Sequence, residues 1–481
     1  MSRSVCLFLC ASLLLASMGC GSEEDFEESV DNVRGDRPPV IDARRSLAVT
    51  DVELLKRFPL KRVMDQLASD AKVKGVSGIE LFRRWWDTQN PKPGLLNRGP
   101  HCDDQVDAQG RPSLNGFPYD CRPGPSEGAQ ASCTSFDDPA CNYIPIGLFN
   151  RFDLAPEDGS TCGEHRIIYA KTTGQTVRSD RNLVIFEAVV QNPFPFLGVQ
   201  GCRRLIEAWA ELSSIGSQKE RGERLERLYF KGLWPFPPIV RTANYGDNDK
   251  GLGQIRTNQF MITTAPFIWT LREFKIERTC SRGRCDVQFM PATVKNNPIG
   301  VLFGDRGADP RVAAYQTQLV RDNVGSLAAT SIGDISMATP DTFNAAQSHS
   351  SGSKEMDFAS YFATQKKGLR LELWRALGTL GSDVTPEQLL ARVRTQTCAG
   401  CHQLSNGEDL GGGLFWPPSL GFVHVSEEAP ETVDGVVRYR ISPLLISSFL
   451  PVRERVMIDF LKENPWRRRG RGWSIGGRDT H

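Results

Sequence analysis

Cysteine placement constrains this chain more than any other feature of its sequence. Thirteen cysteines are spread over 481 residues. Eight of them, Cys102, Cys121, Cys133, Cys141, Cys162, Cys202, Cys280 and Cys285, lie in the middle of the chain. An even set of thiols in an exported protein predicts four disulfides, whose connectivity is not fixed by sequence. One pair is local. Cys280-Ser-Arg-Gly-Arg-Cys285 closes a tight turn between strand-like runs at 269–278 and 286–291, so Cys280 and Cys285 are expected to join.

The export signal lies at the N-terminus. Arg3 precedes an apolar run from Val5 to Met18 that includes Cys6 and Cys10. The run is shorter than the roughly 20 apolar residues a spanning helix needs, and no later stretch is long and apolar enough. Ser17-Met18-Gly19-Cys20 resembles a bacterial lipobox, although Ser17 stands where Leu is common. That resemblance implies a signal peptide over 1–19 and a lipid on Cys20. Parity agrees: with Cys6 and Cys10 cleaved off, Cys20 lipidated, and Cys398 and Cys401 set aside, the remaining cysteines are even in number. Residues 20–45 carry Glu23, Glu24, Asp25, Glu27 and Glu28 and are expected to form a flexible tether. With Gly21 after the cysteine and acidic residues starting only at Glu23, the expected location is the cell envelope. By analogy with lipoprotein sorting, it is the outer membrane, facing the periplasm or the surface.

An apolar fraction of 40% suffices for packed cores, and a net charge of +1 lacks the basic excess of a nucleic-acid binder. Helical patterns at 51–70, 76–88, 202–212, 220–230 and 311–324 mix with strand-like runs at 166–170, 183–190, 254–262 and 269–278. No regular βαβ alternation appears, so the expected class is α+β. Trp85, Trp86, Leu81 and Phe82 are candidate core residues. Ser348-His-Ser-Ser-Gly-Ser353 has linker composition and places a boundary between an α+β domain at 46–350 and a mainly helical domain at 360–465. A tail at 466–481 holds Arg467, Arg468, Arg469 and Arg471. It is expected to be a solvated terminus, or alternatively a contact with anionic lipid or an acidic partner.

Cys398-Ala-Gly-Cys401-His402 is the chain's strongest chemical motif. Covalent haem attachment needs two thiols, which add across two vinyl groups, and an imidazole that reaches the iron from one side. Cys-x-x-Cys-His provides all three within five residues. A capping-box helix start at Thr385-Pro-Glu-Gln388 leads directly into it. The alternatives weighed against haem are a redox dithiol, a zinc site and a structural disulfide. The first lacks a visible thioredoxin-like frame, and the second lacks a further Cys/His cluster.

Residues 368–461 resemble a class I c-type cytochrome domain, which places a helix before the motif and a Gly-Pro-x-Leu segment after it. Pro418-Ser-Leu420 matches that segment, with Pro417 where Gly would stand. The resemblance implies haem c as cofactor, with Cys398 and Cys401 holding the porphyrin and His402 as proximal iron ligand. It also implies that the Pro418 carbonyl fixes the His402 ring. The distal ligand stays open between His424, Met457 and none.

Residues 46–350 contain no G-x-S-x-G, Walker A, H-E-x-x-H or G-x-G-x-x-G motif. Asn150-Arg-Phe-Asp-Leu154 and 253–260 resemble segments of uncharacterised secreted bacterial proteins, which implies no activity. Glu164-His165 and His101 are expected to be structural. The expected function is electron transfer in the envelope, with an unidentified redox partner, membrane attachment through the lipid, and no nucleic acid. The alternatives are a haem enzyme or sensor with an open iron face, such as a peroxidase, and a disulfide-rich binding lipoprotein without cofactor.

Overall fold

In the computed structural model, which describes residues 39–122, 127–261, 268–307, 309–350, 354–364 and 368–463, the strand-like runs assemble into one sheet. Its strands are β1 (Ala48–Val49), β2 (Tyr143–Arg151), β3 (Thr161–Lys171), β4 (Asn182–Gln191), β5 (Gln254–Met261), β6 (Ile268–Ser281), β7 (Arg284–Ala292) and β8 (Gln347–His349). The hydrogen-bonded order is β1-β2-β3-β4-β5-β6-β8, with β7 paired to β6 outside that path. Every pairing is antiparallel. The longer helices are α1 (Leu60–Ala71), α2 (Gly78–Asp87), α3 (Arg203–Glu211), α4 (Gln218–Phe230), α5 (Pro310–Gln318), α6 (Gly368–Thr379), α7 (Pro386–Thr395) and α8 (Leu450–Lys462). The class is therefore α+β. The helix expected across 51–70 is split, because Pro59 lacks the N–H that a continuous helix would use.

The two-residue period of a strand sorts side chains onto two faces. In β4, Val184 and Phe186 take one face, and Leu183, Ile185 and Glu187 take the other. Register aligns Phe186 with Ile167 and Ile255, and Ile255 with Phe274. Helix α2 covers this apolar row. Trp85 stacks on Phe289 with ring centroids 4.8 Å apart and meets Phe186 and Phe274 edge-on. Ser77 fixes the start of α2 by accepting the Glu80 N–H. Leu81, Phe82, Trp85 and Trp86 are fully buried.

The opposite face buries charge. Arg166 faces Glu187 across β3 and β4, and Arg256 faces Glu273 across β5 and β6. The C-terminal segment lies against this face. It was expected to be mainly helical, but it also contains a hairpin of β9 (Val425–Val433) and β10 (Val436–Ile441). Asp434 and Gly435 both adopt positive φ, at 52° and 74°, as a two-residue hairpin turn requires. Tyr439 N–H donates to the Thr50 carbonyl at 2.9 Å, and Arg438 bridges to Asp51. The C-terminal hairpin thus completes the N-terminal core. Contacts gather the chain from Val40 onward into one unit. In the expected linker, Ser348 and His349 are strand residues of β8 paired to β6. Residues 351–353 lie outside the described residues, as do the expected signal peptide, Cys20, residues 20–38 of the expected tether, and the basic tail. The described end of the tether stretch is ordered locally, with Asp42 capping a helical turn at Ala43–Ser46.

Four disulfides join Cys102 to Cys121, Cys133 to Cys141, Cys162 to Cys202 and Cys280 to Cys285. The last closes the β6–β7 turn, where Cys280 and Cys285 are register partners. Its cysteines are five positions apart, so loop-closure entropy limits its contribution to about 2 kcal/mol. A Cys280→Ala, Cys285→Ala variant should lose no more than that in denaturant unfolding.

Candidate functional site

The site begins with α7. Thr385 and Gln388 form the expected capping box. Arg392 is buried on this helix. Its guanidinium donates to the carbonyls of Leu327, Ala329 and Leu410 at 2.7–2.8 Å, which fixes the helix against the loops around it. After Gln396 and Thr397 the chain resumes helically at Cys398 and widens to a five-residue turn over Gly400–Leu404. Gly400 is required there, because a Cβ would overlap the Arg394 carbonyl oxygen. Ala399 N–H donates to Ser348 Oγ at 3.1 Å, which ties the motif to β8.

The two thiols point to different surroundings. Cys398 is packed with Phe260, Trp269, Leu271 and Val294. Cys401 lines a pocket beside the sheet. No disulfide joins them. Burial raises both thiol pKa values, that of Cys401 to about 12 despite the opposing guanidiniums of Arg151 and Arg453. Both sulfurs are therefore protonated and neutral in the ligand-free protein.

His402 is oriented from two sides. Its Nδ1 donates to the Phe422 carbonyl at 2.9 Å, which leaves Nε2 with the lone pair. Its ring lies 5.1 Å from that of Trp269 and 4.4 Å from that of His424. Burial lowers the His402 pKa to about 4, so the imidazole stays neutral. His424 is held through Nδ1 by Ser442 Oγ at 2.9 Å, and its Nε2 lies 3.4 Å from Cys401 Sγ. Burial, with His402 next, pushes the His424 pKa well down.

Phe422 replaces Pro418 in the role implied by the cytochrome resemblance. The Pro418 carbonyl accepts from Leu444 N–H instead. The chain turns back at Gly421 and Phe422, both with positive φ, at 66° and 71°. A non-glycine residue held in that region carries strain of about 1–3 kcal/mol, which the surrounding packing must offset. Here the turn aims the Phe422 carbonyl at His402.

The pocket is a narrow slot, partly open to solvent, with about 70 Å³ of cavity volume. Its apolar wall includes Phe149, Ile168, Leu183, Ile185, Val425, Leu445 and Phe449. Its charged wall holds Arg151, Arg166, Arg256, Arg453 and Glu187. Glu187 bridges Arg166 at 3.2 Å and Arg256 at 3.1 Å. Glu164 and Glu273 complete the row, at 2.6 and 2.8 Å from Arg166 and Arg256. Arg151 pairs with Asp153 at 2.9 Å. Of these residues, sequence reasoning weighed only Glu164, with His165, and expected it to be structural. A signal was present, because Arg151 and Arg256 lie in two segments singled out by resemblance, and Arg166, Glu187 and Arg256 interrupt otherwise strand-like runs.

The structure brings Cys401, His402 and His424 to one pocket and leaves Met457 elsewhere. Met457 is buried within α8, 1% exposed, and is not part of the pocket wall, whereas Arg453 one turn earlier is. His165 is buried against Trp209 and lies outside this wall. His101 Nδ1 lies 3.3 Å from the Asp87 carbonyl. Among the described residues, no three His, Cys, Asp or Glu side chains gather to hold a bare metal ion. No described helix is long and apolar enough to cross a membrane. Compared with known proteins, the chain matches no family model, no curated protein and no solved structure.

Proposed function

We propose that this chain is a cell-envelope lipoprotein that carries one covalent haem c and transfers electrons. Cys398 and Cys401 would hold the porphyrin, and His402 and His424 would supply nitrogen ligands to its iron. Cys20 carries the lipid, and a redox protein is the partner. The observation that carries this reading is the His402 environment. A neutral imidazole is locked through Nδ1 to a carbonyl, with Nε2 unprotonated beside a pocket that has an apolar wall and the Cys401 thiol.

The residues present fit a haem in kind. Cys401 supplies one thioether partner at the pocket, the imidazoles supply nitrogen donors, and the apolar wall suits a porphyrin face, while Cys398 would have to leave its packing against Trp269 and Leu271 to supply the second. Bound haem would supply one-electron chemistry at its iron. The protein's part is to orient both imidazoles through Phe422 and Ser442 and to exclude water with the wall of β3–β5. The slot is narrow and the two imidazoles are in contact, so loading requires them to separate. A pair of protein ligands favours electron transfer over substrate binding at iron, which ranks an open-faced haem enzyme second.

The Cys401–His424 contact favours a separate reading, thiol chemistry without a cofactor. One experiment divides the two. The wild-type chain, made alongside c-type maturation machinery, should stain for haem in a denaturing gel, and Cys398→Ala, Cys401→Ala should not. A colourless wild type under those conditions would leave the thiol reading and remove the haem one.

A further inference from the structure

Arg453 differs from the other three arginines of the pocket. Arg166 and Arg256 each reach two carboxylates at 3.2 Å or less. Arg151 is bidentate on Asp153, through Nε at 3.0 Å and Nη2 at 2.9 Å. Arg453 has only Oδ2 of that same Asp153, an oxygen Arg151 already holds, at 3.8 Å, and the ring of Phe449, whose centroid is 5.5 Å away. No hydrogen bond to its guanidinium forms among the described residues. Yet the side chain is 5% exposed and lines the pocket next to His424 and Cys401.

A guanidinium is not deprotonated in proteins, and burying one without a close anion is costly. Burial and the charges of Arg151 and Arg166 all work against the cation here, with the Asp153 carboxylate on its side. Such a group belongs in a fold when a ligand completes it. A guanidinium presents a planar fork of donors, which matches a carboxylate in a bidentate pair. An Arg in the wall of a largely apolar slot therefore selects a ligand with an apolar body and a carboxylate end.

We infer that Arg453 is the docking point for a carboxylate of the ligand that fills this pocket. The inference rests on the pocket read above as a haem site. It adds that the group enters with one propionate directed inward to Arg453. The same chemistry admits a second source, a free small carboxylate. Because Arg453 contributes little to the ligand-free fold, Arg453→Gln should leave that fold intact.

The test uses the full-length chain made without haem attachment, as wild type, Arg453→Gln and Arg453→Lys. Each is titrated with hemin and with hemin dimethyl ester, following tryptophan fluorescence, since Trp269 lies against His402. Wild type should bind hemin at least about tenfold tighter than the ester, a difference of about 1.4 kcal/mol. Arg453→Gln should bind the two alike, and Arg453→Lys should recover part of the difference. Melting with and without succinate reads the other source. If succinate stabilises wild type and not Arg453→Gln, and hemin is not preferred over its ester, the carboxylate is a free one. If neither the hemin preference nor the succinate effect depends on Arg453, the inference is wrong. The haem reading itself is judged separately, by staining of the matured protein, so the two can fail independently.

Discussion

Replacing Glu187 by alanine should destabilise the protein by about 3–5 kcal/mol, the range expected when one partner of a buried ion pair is removed. Glu187 is 0% exposed. One carboxylate serves Arg166 and Arg256 and also accepts from Gln254 Nε2 at 2.6 Å. Alanine leaves the buried guanidinium of Arg256 and the half-buried one of Arg166 with the carboxylates of Glu273 and Glu164, and opens space behind them. The loss arises because the charges stay buried while their pairing goes. Glu187→Gln keeps the shape and some hydrogen bonds and should cost less. Denaturant unfolding of the three proteins, compared at equal slope, measures the differences. A loss below about 1 kcal/mol for Glu187→Ala would mean that the charged row is hydrated or rearranged, and the pocket would lose its rigid wall.

In the haem-loaded protein, His424→Ala should convert a low-spin, six-coordinate iron into a high-spin one that binds CO readily. Met457→Leu should leave the spectrum as it is. The reason is position. The His424 ring lies 4.4 Å from that of His402 and is steered by Ser442, while Met457 is enclosed in α8 away from the pocket wall. An imidazole pair also favours a lower potential than an imidazole–thioether pair. CO titration of the reduced variants reads the change as the appearance of a complex that wild type does not form. A high-spin iron in Met457→Leu, with none in His424→Ala, would reverse the distal assignment. A high-spin iron in the wild type would favour the open-faced haem enzyme.

The two variants also show where local sequence stops carrying information. His424 and Met457 are equally visible downstream of the motif, and spacing along the chain does not separate them. They separate only after the hairpin of β9 and β10 returns the chain to β1, which puts His424 beside Cys401. Pro418 was the carbonyl expected to hold His402. The choice fell to Phe422, because the positive φ angles at Gly421 and Phe422 turn that carbonyl inward.

By itself the sequence determined what is local in range. It specified the capping box before the motif, the Cys280–Cys285 closure and the α+β mixture. It also specified the placing of two thiols and an imidazole within one turn of chain. Each rests on residues a few positions apart, where backbone geometry and propensity dominate. Only the tertiary structure decided that the sheet of the first 350 residues forms the wall of that motif's pocket. The row from Arg166 to Glu273 is set by strand register, which couples residues about 20–100 positions apart through hydrogen bonds between strands. Arg453 joins it from a helix near the described C-terminal end. Burial then gives these charges their weight, because a guanidinium that would be ordinary in water becomes a constraint on the ligand once water is excluded.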